Sequence, residues 1–461
     1  MPQLLSHRLL EQAAGARCGL VPPVSPVDPQ PCDRLGPIFD GKLLANAAVP
    51  KDPVNAWQTV SGAVALDSRG AIAGAIAEAL ERLAAAQATL TLRMRSQLVD
   101  DERLDDDVFA LFSSEQRAQP DFPWPMVPSP DDLYAPVYRL ADNQMYWVPQ
   151  ELVGLGPRSG QARMPSTSSG LAAWRDEANG PWLAVLRAAQ ELLERDALAT
   201  TWLNGLGGRQ LSLPVEWTDY VAASGGEIAA FDLTQAWNPH RVVAVAGGLP
   251  YAGHPRFVLG VACRANLSEA LHKALLEWAQ ALTFASHLAD RGDDLPRQPD
   301  ALRRFDQHAV FYTLRPDLWR QTALMEHATP HVERAFDAVT ATRRTRAESV
   351  EAAMASAVSR TMAADNVCSD VSGCGQSLAQ LRALQVSLTS SGIDLYYREL
   401  TTVDVAATGL RVMRVLSPQL SGLHADERAP FLGGRCADIQ WRYPGSVRHT
   451  AFPNPLPHPL G

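Results

Sequence analysis

None of the common nucleotide-binding fingerprints occurs in this sequence, neither a G-x-x-x-x-G-K-[ST] loop nor a G-x-G-x-x-G turn. The six cysteines are scattered as Cys18, Cys32, Cys263, Cys368, Cys374 and Cys436, with no C-x-x-C pair, which argues against a structural zinc site. They read as free thiols of a reducing compartment, although Cys368 and Cys374 share a Ser/Gly/Asp-rich loop and could form an exposed pair. No long Lys/Arg run occurs and the net charge is −9, so a nucleic-acid partner held through its phosphates is not expected. Nowhere do about 18 uncharged apolar residues run together, as a membrane span requires. The opening Met1-Pro-Gln-Leu-Leu-Ser-His-Arg8 lacks the charged-then-apolar profile of a secretory signal, and a cytoplasmic protein without membrane attachment is expected.

What is present is an ordinary globular composition, 46% hydrophobic and 20% charged over 461 residues, enough to bury a large core. Clustered prolines make residues 1 to about 55 read as an irregular arm, with 1–30 as its proline-rich part and the remainder, 31–461, as the main domain. Ile72, Ile76, Leu80 and Leu83 form one apolar stripe and predict a helix from Asp67 to Leu90. A strand pair is predicted over Val137–Pro149, turning at Asp142-Asn143. A long helix follows from Pro181 to Leu203, with proline at its first position. Strands at Arg241–Ala246 and Arg256–Cys263 precede a helix from Ser268 to Ala289 with Ser268 as its cap. Further helix is expected over roughly 330–365 and over Ser377–Ser391, then strands at Asp394–Glu399 and Leu410–Leu416. The mixture predicts an α/β or α+β fold without internal repeats.

Three of these helices carry acidic or amide side chains three residues apart: Glu78 and Glu81, Glu191 and Glu194, Glu277 and Gln280. Residues i and i+3 share a helix face, so each pair can present two oxygens to one point, a donor set suited to magnesium and its nucleotide phosphates. On the first helix alone a solvated outer face is the better reading, because the acids lie opposite the apolar stripe. On the second, apolar residues cover most of the circumference while Arg187, Glu191 and Glu194 share one narrow stripe. On the third, Lys273, Glu277 and Gln280 cluster among Leu271, Leu275, Leu276 and Trp278. Buried carboxylates require ion pairs or a metal, and spacing leaves a ligand cage and an ion-pair network equally open. The closing run Pro453-Asn-Pro455-Leu-Pro457-His-Pro459-Leu-Gly461 reads either as solvated polyproline or as a rigid strut laid into a cleft.

Together these residues resemble the YcaO superfamily, in particular its azoline-forming cyclodehydratases. Ala77-Glu-Ala-Leu-Glu-Arg82 is similar to the family's first acidic helix, and Glu191-Leu-Leu-Glu-Arg-Asp-Ala-Leu198 with Trp202 to its most specific signature. Ser168-Ser-Gly-Leu-Ala172 resembles its small polar loop, and Glu277-Trp-Ala-Gln280 with Arg291-Gly-Asp-Asp294 its third acidic helix and following turn. Leu400-Thr-Thr-Val-Asp404, Gly409–Val415 and Leu432-Gly-Gly-Arg435 look like its C-terminal core, and Pro453–Pro459 like its proline-rich terminus. The match departs at Ala63, where a Gly-Lys-Gly-like segment is usual, at Ser169 in place of Asn, at Leu282 in place of Arg, and at Gly461 in place of Pro.

The resemblance implies a YcaO fold with acidic helices lining a nucleotide cleft, and ATP and Mg2+ as cofactors. It implies Glu78, Glu81, Glu191, Glu194 and Glu277 as metal ligands, and Ser168, Glu78, Glu81, Arg195, Gln280 and Arg291 as nucleotide contacts. Pro455, Pro457, Pro459 and Gly461 would form the catalytic terminus. The implied reaction is ATP-dependent conversion of Cys, Ser or Thr in a ribosomally made precursor peptide to thiazoline or oxazoline, by phosphorylation of the backbone amide oxygen. The rivals are thioamide or amidine formation and a catalytically silent scaffold. Expected partners are the precursor peptide, an E1-like or leader-binding protein, an FMN-dependent azoline dehydrogenase and a second copy in a homodimer.

Overall fold

In a computed structural model, the described residues are 13–27, 31–48, 61–104, 107–124, 128–155, 164–167, 169–175, 180–251, 254–290, 295–334 and 374–461. Among them, fourteen strands form three sheets. A three-stranded antiparallel sheet joins β1 (Ser25–Pro26), β2 (Leu44–Ala48) and β3 (Ser61–Ala65) in that order. A six-stranded sheet runs β4 (Arg93–Met94), β5 (Leu133–Arg139), β13 (Tyr396–Glu399), β14 (Leu410–Leu416) and β7 (Leu171–Arg175), with β6 (Met145–Pro149) also paired to β5. The five-stranded sheet has the order β11 (His254–Arg264), β10 (Arg241–Tyr251), β9 (Glu227–Asp232), β8 (Arg209–Ser212) and β12 (Thr329–Arg334). Among these strands β8 and β12 pair in parallel, and the other strand pairs are antiparallel.

Three long helices knit these sheets into a ring. Helix α1 (Ser68–Gln87) packs on β2 and β3 and also on β7 and β14, bridging the three- and six-stranded sheets. Helix α2 (Trp182–Leu203) lies on β7 and β14 and on β10 and β11, bridging the six- and five-stranded sheets. Helix α3 (Leu267–Ala289) lies on β10 and β11 and reaches β3, which closes the circuit. Helix α4 (Phe305–Leu314) packs on α3 and β11, and helix α5 (Cys374–Ser390) on α2. The strands next to the helix junctions, β3, β7 and β11, are each the outermost strand of their sheet.

Local chemistry explains the helix boundaries. Asp67 caps α1 by accepting from the Gly70 amide at 2.8 Å. Asn266, rather than Ser268, caps α3, its side chain accepting from the Glu269 amide, because the extended backbone at 266 brings its carbonyl oxygen over the first turn. Pro181 stands just before α2 rather than inside it. The α1 stripe packs as predicted: Ile76, Leu80 and Leu83 are buried with Ala135, Val137 and Val412 of the six-stranded sheet. Helix α2 is buried around nearly its whole girth.

The predicted irregular arm contains more order than expected: residues 31–39 form two helical turns, and β1 and β2 extend the sheet that β3 edges. Its strands are too short for periodicity to register. The predicted helix at 330–365 begins instead as β12, held by parallel pairing to β8, and the rest of that stretch lies outside the described residues. No helix among the described residues is long and apolar enough to cross a membrane.

Candidate functional site

An edge strand exposes a row of unpaired amides, and each must find an acceptor. Here the helical acids supply them. Glu78 accepts from Gly62 N on β3 at 3.1 Å, Glu81 from Ala173 N on β7 at 2.6 Å, and Glu191 from Leu171 N on β7 at 2.9 Å. Glu194 accepts from Cys263 N on β11 at 3.2 Å. The acids of α1 and α2 therefore converge on the edges of all three sheets, and Glu277 of α3 joins them through the charge of Arg195. The outer-face reading of α1 is thus corrected: Glu78 and Glu81 point into the ring.

One oxygen of Glu78, Glu81, Glu191 and Glu194 is anchored on backbone, and cations stand against most of the remaining carboxylate oxygens. Arg82 Nη2 contacts Glu78 Oε1 at 2.8 Å, and Arg195 bridges Glu191 at 3.3 Å and Glu194 at 3.8 Å. Lys273 pairs with Glu277. These counter-ions do not satisfy the cluster. Burial and then the Glu191 charge push Glu81 up to about 8, although Arg82 opposes the rise. Burial pushes Glu194 up to about 7, with Glu191 and Glu277 adding repulsion against the relief from Arg195. Glu277 lies below the ordinary carboxylate range, because Lys273 and Arg195 outweigh its burial.

Among the described residues no three His, Cys, Asp or Glu side chains close around one point as a ready-made metal site. The acids form a strip, with guanidinium and ammonium groups occupying the positions of countercharge. Hard oxygens, like-charge repulsion and raised carboxylates at Glu81 and Glu194 fit magnesium, which would supply the missing positive charge. Gln280 is half-buried one turn beyond Glu277. Ser168 and Arg291 lie outside the described residues, as does Cys368.

The proline segment is a strut against the protein rather than a solvated arm. Asn454 N donates to Leu203 O and its side chain to Trp202 O, while Trp202 Nε1 donates to Leu456 O at 2.8 Å. Tyr312 of α4 donates to Pro457 O at 2.7 Å, and His308 Nδ1 lies 3.0 Å from His458 O. Pro457 and Pro459 are buried, Pro453 and Pro455 exposed, and Gly461 rests against Ala309. The His458 ring, 2% exposed, stacks on His308 at 4.2 Å beside His424, with Glu427 closing the group. Its charge and that of Arg195 feel one another, so segment and acids are neighbours along α2.

Sequence reasoning missed several of these residues. Arg414 of β14, 1% exposed, has Glu191 and Glu81 as its charged neighbours. Two arginines in the otherwise apolar run Leu410–Leu416 were the available signal. His308 and Tyr312, which hold the proline segment, carry no local signature.

Comparison with known proteins follows the same direction. No curated protein matches the chain in sequence. A solved heterocyclase in complex with substrate and cofactor is 17% identical, with a TM-score of 0.70; the match covers 99% of this chain, which spans 57% of that one. The YcaO protein from Methanopyrus kandleri bound with AMPPCP and Mg2+ is 16% identical over 91% of each chain, with a TM-score of 0.57. The E. coli microcin synthetase McbBCD complex with pro-MccB17 bound is 14% identical, covering 86% of this chain and 88% of that one, with a TM-score of 0.53. These similarities share the fold. The family model described as YcaO cyclodehydratase, ATP- and Mg2+-binding, matches residues 64–421 and so includes all three acidic helices. The chain belongs to the YcaO cyclodehydratase family, an ATP- and Mg2+-binding family.

Proposed function

We propose that this protein is an ATP-dependent cyclodehydratase converting Cys, Ser or Thr of a precursor peptide into thiazoline or oxazoline, the backbone amide oxygen leaving as phosphate. The observation that carries this reading is the convergence of acid-bearing helices on three sheet edges, where burial and neighbouring carboxylates raise Glu81 to about 8 and Glu194 to about 7. Bound magnesium-ATP would supply a phosphoryl group that turns a poor leaving group into a good one. Glu78, Glu81, Glu191, Glu194 and Glu277 are assigned to the metal, and Ser168, Arg195, Gln280 and Arg291 to the nucleotide.

The edge amides support this assignment of the carboxylates. Because Gly62, Ala173, Leu171 and Cys263 each fix one oxygen, the other is presented without further ordering cost. Arg82 holds the second oxygen of Glu78, Arg195 those of Glu191 and Glu194, and Lys273 pairs with Glu277; with magnesium bound in their place, these cations would be free to face anionic groups. The segment Pro453–Gly461, anchored on α2 and α4, is assigned to positioning the substrate amide. The McbBCD structure holds pro-MccB17 within a multi-protein complex. By analogy we assign this chain a leader-binding partner, with an azoline dehydrogenase and a homodimeric state as further members of the assembly.

The test is mass spectrometry of the precursor peptide encoded beside the gene, incubated with Mg2+-ATP and with or without a candidate leader-binding protein. Loss of one water per ring, coupled to ATP consumption and strongly accelerated by the partner, is the expected result. ATP consumption without water loss, or an unchanged peptide mass in the complete mixture, would refute the reading.

A further inference from the structure

Among the described residues two arginines are fully buried, and they are held differently. Arg442 makes contact with the equally buried Asp196, its Nη2 lying 2.7 Å from Oδ1. Arg414 touches no carboxylate among the described residues. Its Nε donates to Leu152 O at 3.0 Å, and its Nη2 donates to the Thr167 carbonyl and, at 2.9 Å, to the Thr167 hydroxyl. Those three acceptors fix one edge of the guanidinium fork. Nη1, on the other edge, meets no partner among the described residues. A buried cation with an unused donor is costly to the fold, and an anion coming to it would offset that cost.

The placement of Arg414 says where that anion would sit. Arg414 stands directly across from Leu171, whose amide holds Glu191. Its strand neighbours Val412 and Leu416 pack in the α1 core, so Arg414 lies on the face from which α1 brings Glu81. Thr167, which it grips, immediately precedes Ser168. A cavity of about 50 Å³, lined by Leu152, Thr167, Ser169 and Leu416 among others, adjoins its anchors. Burial pushes the guanidinium down to about 10, with Glu191 and Glu81 opposing, so it stays charged at neutral pH.

We propose that Arg414 is a nucleotide-binding residue of this site, its Nη1 donating to a phosphate oxygen while Nε and Nη2 hold Leu152 and Thr167. The proposal rests on the nucleotide reading above. A guanidinium suits it because one planar group can be anchored and still present a charged donor. Its position among the carboxylates assigns it the phosphate chain rather than the base.

Calorimetric titration of the full chain with Mg2+-ATP, inorganic tripolyphosphate with Mg2+, and Mn2+ alone tests this. Arg414→Gln should weaken both phosphate probes by about tenfold or more, as loss of a charged hydrogen bond does, and leave Mn2+ binding within about twofold. Arg414→Lys keeps the charge but cannot serve both edges, so an intermediate loss is expected. Unchanged ATP affinity in Arg414→Gln would overturn the proposal. So would loss of ATP with tripolyphosphate retained, which would move the contact to sugar or base, or loss of Mn2+ binding together with both phosphates, which would make the role structural. If Arg414→Gln does not fold, Arg414→Lys decides, and undiminished ATP binding there overturns the proposal. Wild-type protein that binds Mn2+ but neither phosphate probe would sink the nucleotide reading, and this proposal with it.

Discussion

Helix α2 serves two regions that solve opposite problems. Around Glu191 and Glu194 it brings like charges to two sheet edges beside the acids of α1, and the available arginines leave Glu81 and Glu194 far above their ordinary range. Around Trp202 it docks the proline segment, where successive carbonyls at 456, 457 and 458 meet Trp202, Tyr312 and His308. The first region retains crowded carboxylates; in the second the segment's carbonyls are met by the protein itself, while His424 Nδ1 and His458 Nδ1 stay buried without a hydrogen-bond partner among the described residues. The two differ in charge: the first holds like charges that a cation would relieve, the second holds His308 and His458, which burial keeps neutral.

The largest expected effect breaks the first region. Glu191→Gln or Glu194→Gln should abolish Mg2+-dependent ATP consumption, a loss of at least about tenfold to 100-fold, because each removes a charge while its neighbours keep the backbone anchored. Circular dichroism and melting should show the fold retained. ATP turnover surviving both substitutions would mean that the strip is an ion-pair network.

The second prediction separates the regions. Deleting residues 453–461 should remove ring formation while Mg2+-ATP affinity stays within a few-fold, since no acid or edge amide is touched. It should also lower the melting temperature, because Trp202 and Tyr312 lose both cover and acceptors. Normal ring formation by the truncated protein would dismiss the positioning role given to Pro455, Pro457, Pro459 and Gly461.

Titration sharpens the same contrast. Glu81 and Glu194 have folded-state values near 8 and 7, above the carboxylate values of the unfolded chain. Their protonated forms contribute stability that is complete below about pH 4.5 and lost as pH rises through 7 and 8. The metal-free melting temperature should therefore fall between pH 5 and 8, and the rise caused by Mg2+-ATP should grow over that window. A ligand-induced rise independent of pH would contradict this.

The smallest effect lies at the dock. Burial and the neighbouring imidazoles hold His458 well below its ordinary value, and burial lowers His308 despite the nearby Glu427. Docking should be complete above about pH 6.5, where a free imidazole is neutral, and should weaken below it. The protection of the Asn454 and Leu456 amides against hydrogen exchange, relative to the intrinsic rate at each pH, should fall on acidification more in wild type than in His458→Phe; equal pH dependence would remove the histidines from the latch.

Much of this was legible in the sequence. The periodicity of Ile72, Ile76, Leu80 and Leu83 defined α1 and its buried face, and the i, i+3 acids gave the site its helices. The ring was not legible, because it depends on which strands end as sheet edges, and edge amides leave no mark on residue identity. Solvation of Glu78 and Glu81 was misjudged for the same reason: a face opposite one apolar stripe can still meet another sheet. Arg414, His308 and Tyr312 act across 145 to 262 residues of sequence through backbone carbonyls, which spacing rules do not reach.

The most direct measurement is calorimetric titration of Mg2+-ATP into the chain at pH 7 in two buffers of different ionisation enthalpy. If the buried acids hold the magnesium nucleotide, binding must ionise Glu81 and part of the Glu194 population, releasing on the order of one proton per site. Glu81→Gln should abolish most of that release. Tight binding with no proton release, or binding indifferent to Mg2+, would contradict the account.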